Sequence, residues 1–170
     1  MTLLDRFRER KDQFFKQDPH SPLLPEQQDE FEGLAYFPED LDLRFEIPIE
    51  EFPQQEVITM QTSTGDVQDY IRFGMIHFTV EGQPTELTVY MAQNGGGFFL
   101  PFMDATNGEE TYDGGRYLEI EPMTGDKYLV DFNLAYNPYC AYSEYWSCPI
   151  PPKENRLSVA IRAGEKRFKK

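Results

Sequence analysis

The sequence is poor in the residues that usually announce chemistry. It holds two cysteines, two histidines and one tryptophan in 170 residues. Two cysteines in a chain of this length do not make a disulfide scaffold. With only His20 and His77 to join them, in no zinc-ligand spacing, they supply neither a structural zinc site nor a cofactor motif. Cys140 also lacks a neighbouring histidine to hold it as a thiolate; a buried thiol or a local bridge is the expected fate of both cysteines. Basic residues are scarce. Sixteen Lys and Arg against thirty Asp and Glu leave a formal charge of −14, which repels phosphates and anionic headgroups and so excludes nucleic acid and membrane as partners. That excess reads as a strongly solvated surface, although a salt-rich cytoplasm would ask for the same thing. No window approaches the ~20 apolar residues of a bilayer span. Met1 to Arg10 has no secretory apolar core, so a cytoplasmic protein is expected. Internal repeats and helical crossovers between strands are missing as well, and without crossovers a parallel sheet is excluded.

What is present is enough chain for one domain with a real core. Leu4, Phe7, Lys11 and Phe14 recur at three- and four-residue steps, which predicts an amphipathic helix over Leu3 to Gln17, with Thr2 and Asp5 as a capping box. Pro22 stops it, Pro25 opens a short second helix through Phe31, and Gly33 ends that. From Leu41 the period becomes two. Leu41, Leu43, Phe45, Ile47 and Ile49 alternate with polar residues and predict a strand with one buried face, near an edge because of Pro48. Further strands are predicted over Val57 to Thr62 and Val67 to Val80, the latter bulged at Gly74, where its apolar face switches. Others follow around Leu87 to Met91, Phe98 to Phe102, Arg116 to Glu121, Lys127 to Leu134 and Leu157 to Ile161. The predicted fold is mainly β: a single curved antiparallel sheet closing into a barrel-like or sandwich body over 41–170, on which a helical segment, 1–34, packs within one domain.

The stretch from Asp131 to Asn155 holds both cysteines, Trp146 and the tyrosines Tyr136, Tyr139, Tyr142 and Tyr145. Aromatic side chains are costly to leave in water, so this segment is expected to be ordered and packed. Strand alternation puts Asp131 and Asn133 on one face, followed by Tyr136, Asn137 and Cys140: a polar end to an aromatic pocket, or simply a solvent face and an Asn-Pro turn. A second polar group runs from Asp104 to Arg116. It fails the ligand pattern of a calcium loop, while Gly114-Gly115-Arg116 offers close backbone approach and a planar cationic fork. An arginine paired with Asp104 or Asp131 inside the fold fits the same residues.

Phe14-Phe15, Tyr36-Phe37-Pro38, Gly115-Arg116-Tyr117-Leu118, Asp131-Phe132-Asn133 with Ala135-Tyr136-Asn137-Pro138, Cys140-Ala141-Tyr142, Cys148-Pro149 with Pro151-Pro152, and Asn155-Arg156-Leu157 form an ordered series of landmarks. With them the chain resembles a bacterial and archaeal family that carries only a domain-of-unknown-function label. Tyr139 departs from it, standing where a second proline is expected. The resemblance implies one intact domain with family motifs on Asp131, Asn133, Asn137, Cys140, Cys148 and Asn155, and it brings no activity with it.

Two readings of function follow from the residues. In the first the chain binds a small molecule, with Arg116, Tyr117, Asp131, Asn133, Tyr136, Asn137, Cys140 and Tyr142 lining the pocket, and Arg116, Asp131 and Asn133 converging on an anionic or hydroxyl group. In the second it is an enzyme with Asp104 or Asp131 as general base and Arg116 or Tyr112 stabilising negative charge. A purely structural or partner-binding role would instead leave an apolar patch on the exterior.

Overall fold

The structure is a computed structural model that describes residues 1–168. Its first element, α1 (Leu3–Gln17), begins where the sequence places it. Thr2 Oγ1 accepts the Asp5 N–H and the Asp5 carboxylate accepts the Thr2 N–H, each at 3.0 Å, so two donors that the first turn leaves free are satisfied locally. The buried side of α1 runs through Leu4 and Phe15, whereas Phe7 is 40% exposed. Pro25 opens α2 (Pro25–Glu30), whose Gln27 reaches across to donate to the Tyr142 carbonyl at 2.8 Å. Phe15, Leu23, Phe31 and Tyr142 form one cluster, with Phe15 edge-on to Tyr142 at 5.0 Å. The helices therefore rest on the aromatic stretch, not on a sheet.

The strands are β1 (Arg44–Ile47), β2 (Glu50–Glu51), β3 (Val57–Gln61), β4 (Val67–Val80), β5 (Gln83–Ala92), β6 (Phe98–Phe102), β7 (Arg116–Leu118), β8 (Glu121–Pro122) and β9 (Tyr128–Asp131). They make two antiparallel sheets, β1-β9-β8 and β2-β4-β5-β6-β7 with β3 also on β4. The expectation of one curved sheet is corrected here, and the described residues form no closed barrel. Both sheets feed one core. Phe45, Ile47 and Val130 come from the smaller, and Ile76, Phe78, Val80, Leu87, Val89, Leu100, Phe102 and Leu118 from the larger. Each fully buried member stabilises the fold by roughly 1.5–3 kcal/mol.

The irregularity in β4 has a visible cause. The β4–β5 register shifts between Arg72 and Gly74, and a Cβ at Gly74 would lie 2.6 Å from the Glu50 carbonyl. The bulge turns a glycine to the point where β2 crosses.

Three strand assignments from periodicity are corrected. Leu41 is 70% exposed and begins a helical turn, Leu41–Leu43, capped by the Asp40 carboxylate. The chain also leaves β9 at Phe132 for another single turn, Phe132–Leu134, so alternation does not carry on to Asn133. Leu157 to Ile161 is no ladder strand, although Leu157 N–H bonds Met103 O at 2.7 Å and Ala105 N–H bonds Val159 O at 2.8 Å.

The tail closes the fold at Gly164. With φ at +80°, its ideal Cβ would stand 2.6 Å from the Ala135 carbonyl and 2.8 Å from that of Phe132. Gly125 has a similar φ of +76° with nothing within 4 Å. Gly125→Ala is expected to cost about 1–2 kcal/mol for the left-handed backbone alone. Gly164→Ala should cost about 3 kcal/mol or more because overlap is added. Urea unfolding of the two variants tests this, and equal losses would show that the tail does not press on the Phe132–Ala135 turn.

Candidate functional site

Arg116 does not face a pocket. It is 1% exposed, and its guanidinium donates to the carbonyls of Ala163 (2.5 Å), Ile161 (2.8 Å) and Glu165 (3.2 Å), with Asp104 Oδ1 at 3.6 Å. Burial pulls its pKa down while Asp104 and Glu165 push it up. Asp104, itself 4% exposed, accepts from the Thr106 hydroxyl and from the Ile161 N–H at 2.6 Å. It is walled off from any substrate, which corrects its candidacy as a general base. The Gly114-Gly115 pair does permit close approach, but by the protein's own groups: a Cβ at Gly114 would meet the Tyr112 ring at 2.5 Å, and one at Gly115 the Phe102 carbonyl at 2.8 Å.

The amides are likewise drawn into the fold, with only the buried Asn137 Oδ1 among their oxygens left without a partner. Asn133 grips the backbone of Asp40, accepting its N–H and donating to its carbonyl at 2.9 Å each, and donates to Asp131 Oδ1 at 2.9 Å. Asn155, fully buried, pairs with both backbone groups of Thr88 and donates to Pro101 O at 2.8 Å. Asn137 donates through its side chain to Lys166 O at 3.0 Å and through its backbone to Glu165 Oε1 at 3.2 Å. Tyr142 donates to the same Glu165 oxygen at 2.5 Å, and Lys11 of α1 pairs with its other oxygen. Arg116, Asp131 and Asn133 thus fail to converge on one cavity, and the expected polar end is corrected.

A cavity does exist. An open groove of about 840 Å³ runs between α1, strands β7 and β9, and the Cys-Trp loop. Of the residues expected in the site, Tyr117, Asp131 and Tyr136 line it; Arg116, Asn133, Asn137, Cys140 and Tyr142 do not. Phe7, Phe14 and Trp146 add aromatic surface, and Tyr136 packs edge-on against Tyr117 at 5.9 Å. Charge is divided between the walls. Arg10 and Lys11 stand on the helix, with Lys11 Nζ 5.0 Å over the Tyr136 ring, and Glu119, Glu121 and Asp131 stand on the sheet side. Sequence reasoning missed the helix wall because it assigned every α1 aromatic to the core. Phe7, Phe14 and Phe15 fall within one ordinary apolar stripe, so periodicity held no signal that set the groove residues apart.

The loop that closes the groove is tied to the β3–β4 turn. Ser63 N–H bonds Cys148 O at 2.9 Å, Cys148 N–H bonds Ser63 Oγ at 3.2 Å, and Ser147 Oγ donates to Asp66 Oδ1 at 2.9 Å. Hydroxyls of Thr62, Thr64 and Ser147 hold Asp66 down to about 2, so this tie is complete above the ordinary carboxylate range and is lost as pH falls through the lowered value. Cys140 and Cys148 are free and buried beneath it, with Tyr112 Oη 3.4 Å from Cys140 Sγ.

If the guanidinium is a structural clamp, Arg116→Met should leave the Asp104 carboxylate buried beside uncompensated carbonyls and cost about 3–5 kcal/mol. Denaturant unfolding measures the loss. A change below about 1 kcal/mol would show that the clamp carries no net stability.

Comparison with known proteins agrees with this geometry in yielding no established chemistry. Among solved structures the chain is similar to an uncharacterised protein of Haloarcula marismortui determined by solution NMR. The two are 38% identical, the alignment covers 96% of this chain and 91% of that one, and the TM-score is 0.71. No curated protein matches. Residues 29–166, from within α2 to the tail that Arg116 holds, match the model of the family described as "Protein of unknown function (DUF1684)". With so much of the chain covered, the protein belongs to the DUF1684 family.

Proposed function

We propose that this protein is a small-molecule-binding module whose ligand lies in the groove beneath α1. The observation that carries the reading is the groove itself: a concavity of about 840 Å³, walled by Phe7, Phe14, Tyr117, Tyr136 and Trp146, with charged groups confined to its two sides. Ligand sites are commonly of this kind, a mostly apolar concavity with a few polar groups that set orientation. With Arg116 buried elsewhere, the ligand's polar end is redefined. Glu119, Glu121 and Asp131 on the sheet wall accept hydrogen bonds and repel anions, so they favour a hydroxyl or amine over a carboxylate at that end. The helix wall, with Arg10 and Lys11, takes any acceptor at the other. Asp131 remains on the groove as the one carboxylate of the enzyme reading that a ligand can reach.

Thermal unfolding against a panel of apolar-bodied alcohols, amines and acids tests the proposal. A ligand at ~100 times its dissociation constant stabilises the native state by roughly 2.7 kcal/mol. Hits are expected among amines and alcohols, with a change in emission from Trp146, the single tryptophan. Tyr136→Ala should weaken them about tenfold or more, and Asp131→Asn should weaken amines more than alcohols. No shift with any compound, or hits that survive Tyr136→Ala undiminished, would move the function to the outer surface and a macromolecular partner.

A further inference from the structure

Two sulfurs lie together where the groove meets a small aromatic cluster of Tyr117, Phe99, Tyr112 and Tyr136, and the binding reading makes no use of them. Cys148 borders the groove and Cys140 lies behind it. They are 7% and 9% exposed, and the Cys140 N–H donates to Cys148 Sγ at 3.3 Å. Each is held from outside the loop they bracket. Tyr112 Oη donates to Cys140 Sγ at 3.4 Å, and the Cys148 backbone is bonded on both sides to Ser63. The two cysteines are therefore packed side by side in one cluster, with the Cys148 sulfur held against the Cys140 backbone.

We propose that Cys140 and Cys148 form a redox-modification site, closed to an intramolecular disulfide by a hydroperoxide that enters through the groove and reopened by a thiol reductant. A hydroperoxide fits because the sulfurs are nearly covered; a peptide-sized disulfide would have to displace the Tyr139–Trp146 rim to reach them. The thiolate of the pair attacks the terminal peroxide oxygen, the O–O bond breaks, and a sulfenic acid and an alkoxide, or hydroxide from hydrogen peroxide, form. That base takes the proton of the second thiol and leaves as alcohol or water. The second sulfur then attacks the sulfenic sulfur, the S–S bond forms, and hydroxide departs. Each cysteine sulfur loses one electron and the peroxide gains two. In the return step two reductant thiols become a disulfide and restore both cysteines.

The surroundings supply the thiolate without a histidine. The neighbouring Cys148 thiol, with the Tyr112 hydroxyl 3.4 Å from the Cys140 sulfur and Ser63 nearby, favours the Cys140 thiolate and holds it down to about 6 against the burial that opposes it. The nearness of Cys140, with burial, pushes Cys148 up and keeps it the proton carrier. Burial also raises the Tyr112 phenol, so it stays a donor at neutral pH. Only the thiolate is a nucleophile, which makes this asymmetry what a first attack and a second, resolving attack require.

The test uses the reduced full-length protein and a few equivalents of hydrogen peroxide. Both titratable thiols should disappear with a mass decrease of about 2 Da, no covalent dimer should form, and dithiothreitol should reverse the change. Survival of both thiols would overturn the proposal, as would gain of about 16 or 32 Da on separate cysteines or linkage between chains. In the reduced protein, alkylation by iodoacetamide should rise through a midpoint near the lowered Cys140 value, about 6. Tyr112→Phe, which keeps the ring and removes the donor, should move that midpoint up; an unmoved midpoint would remove Tyr112 from the site.

Discussion

A guanidinium with no water to turn to is the constraint on which the rest of this structure depends. Taking an ion out of water costs several kcal/mol unless the interior surrounds it with matched groups. Arg116 finds three carbonyls and one carboxylate. The carbonyls belong to Ile161, Ala163 and Glu165, so one buried side chain fixes three points along the tail on either side of the bend at Gly164. The tail is thereby laid down in one register. Once it is, Gly164 must press on the Phe132–Ala135 turn and Glu165 must arrive where Tyr142, Asn137 and Lys11 can reach it. Helix α1 docks through that carboxylate and through Phe15, and the groove is the space left between the docked helix and strands β7 and β9.

Elements whose cause is local were legible in the sequence. The bounds of α1 follow from Thr2, Asp5 and a periodic apolar face, and those of β4 from its length, its switch at Gly74 and its turn at Glu81-Gly82. Where the cause is a distant side chain, the reading failed in an instructive way. Leu157, Val159 and Ile161 alternate as a strand does, but the chain bends at Ser158 and Val159 and its partners are Met103, Ala105 and the side chain of Arg116 instead of a neighbouring strand. Periodicity reports that a face is buried; it is silent on what satisfies the backbone.

The same blindness explains the site. Arg116, Asn133, Asn137 and Asp104 attracted attention as polar residues set among aromatics. Beyond β9 no described residue belongs to a ladder strand, only to short helical turns, isolated bridges and irregular chain. Buried backbone groups outside ladders still need partners, and these side chains supply them: Asn133 to Asp40, Asn155 to Thr88 and Pro101, Arg116 to the tail. Asn155 does for β5 and β6 what an extra strand would do. A polar residue in an aromatic setting is a signal shared by ligand sites and by loops that must be stitched down. In a chain with so much ordered irregular backbone the second use dominates.

What separates the two uses is hydrogen-bonding capacity left over. Four of the five N–H groups of Arg116 face the Ile161, Ala163 and Glu165 carbonyls and Asp104, and the Asn133 amide is taken up on both its atoms, so neither retains much to offer a ligand. The carboxylates of Glu119 and Glu121 stand on an open wall with lone pairs to spare. The cysteine pair retains capacity of a different kind, a proton to move and a covalent bond to make, at a place where the groove touches the interior. By this criterion the side chains between Asp131 and Asn155 divide in two. Asn133, Asn137, Tyr142 and Asn155 are absorbed in holding the fold, while Cys140 and Cys148 are positioned by it and stay free thiols.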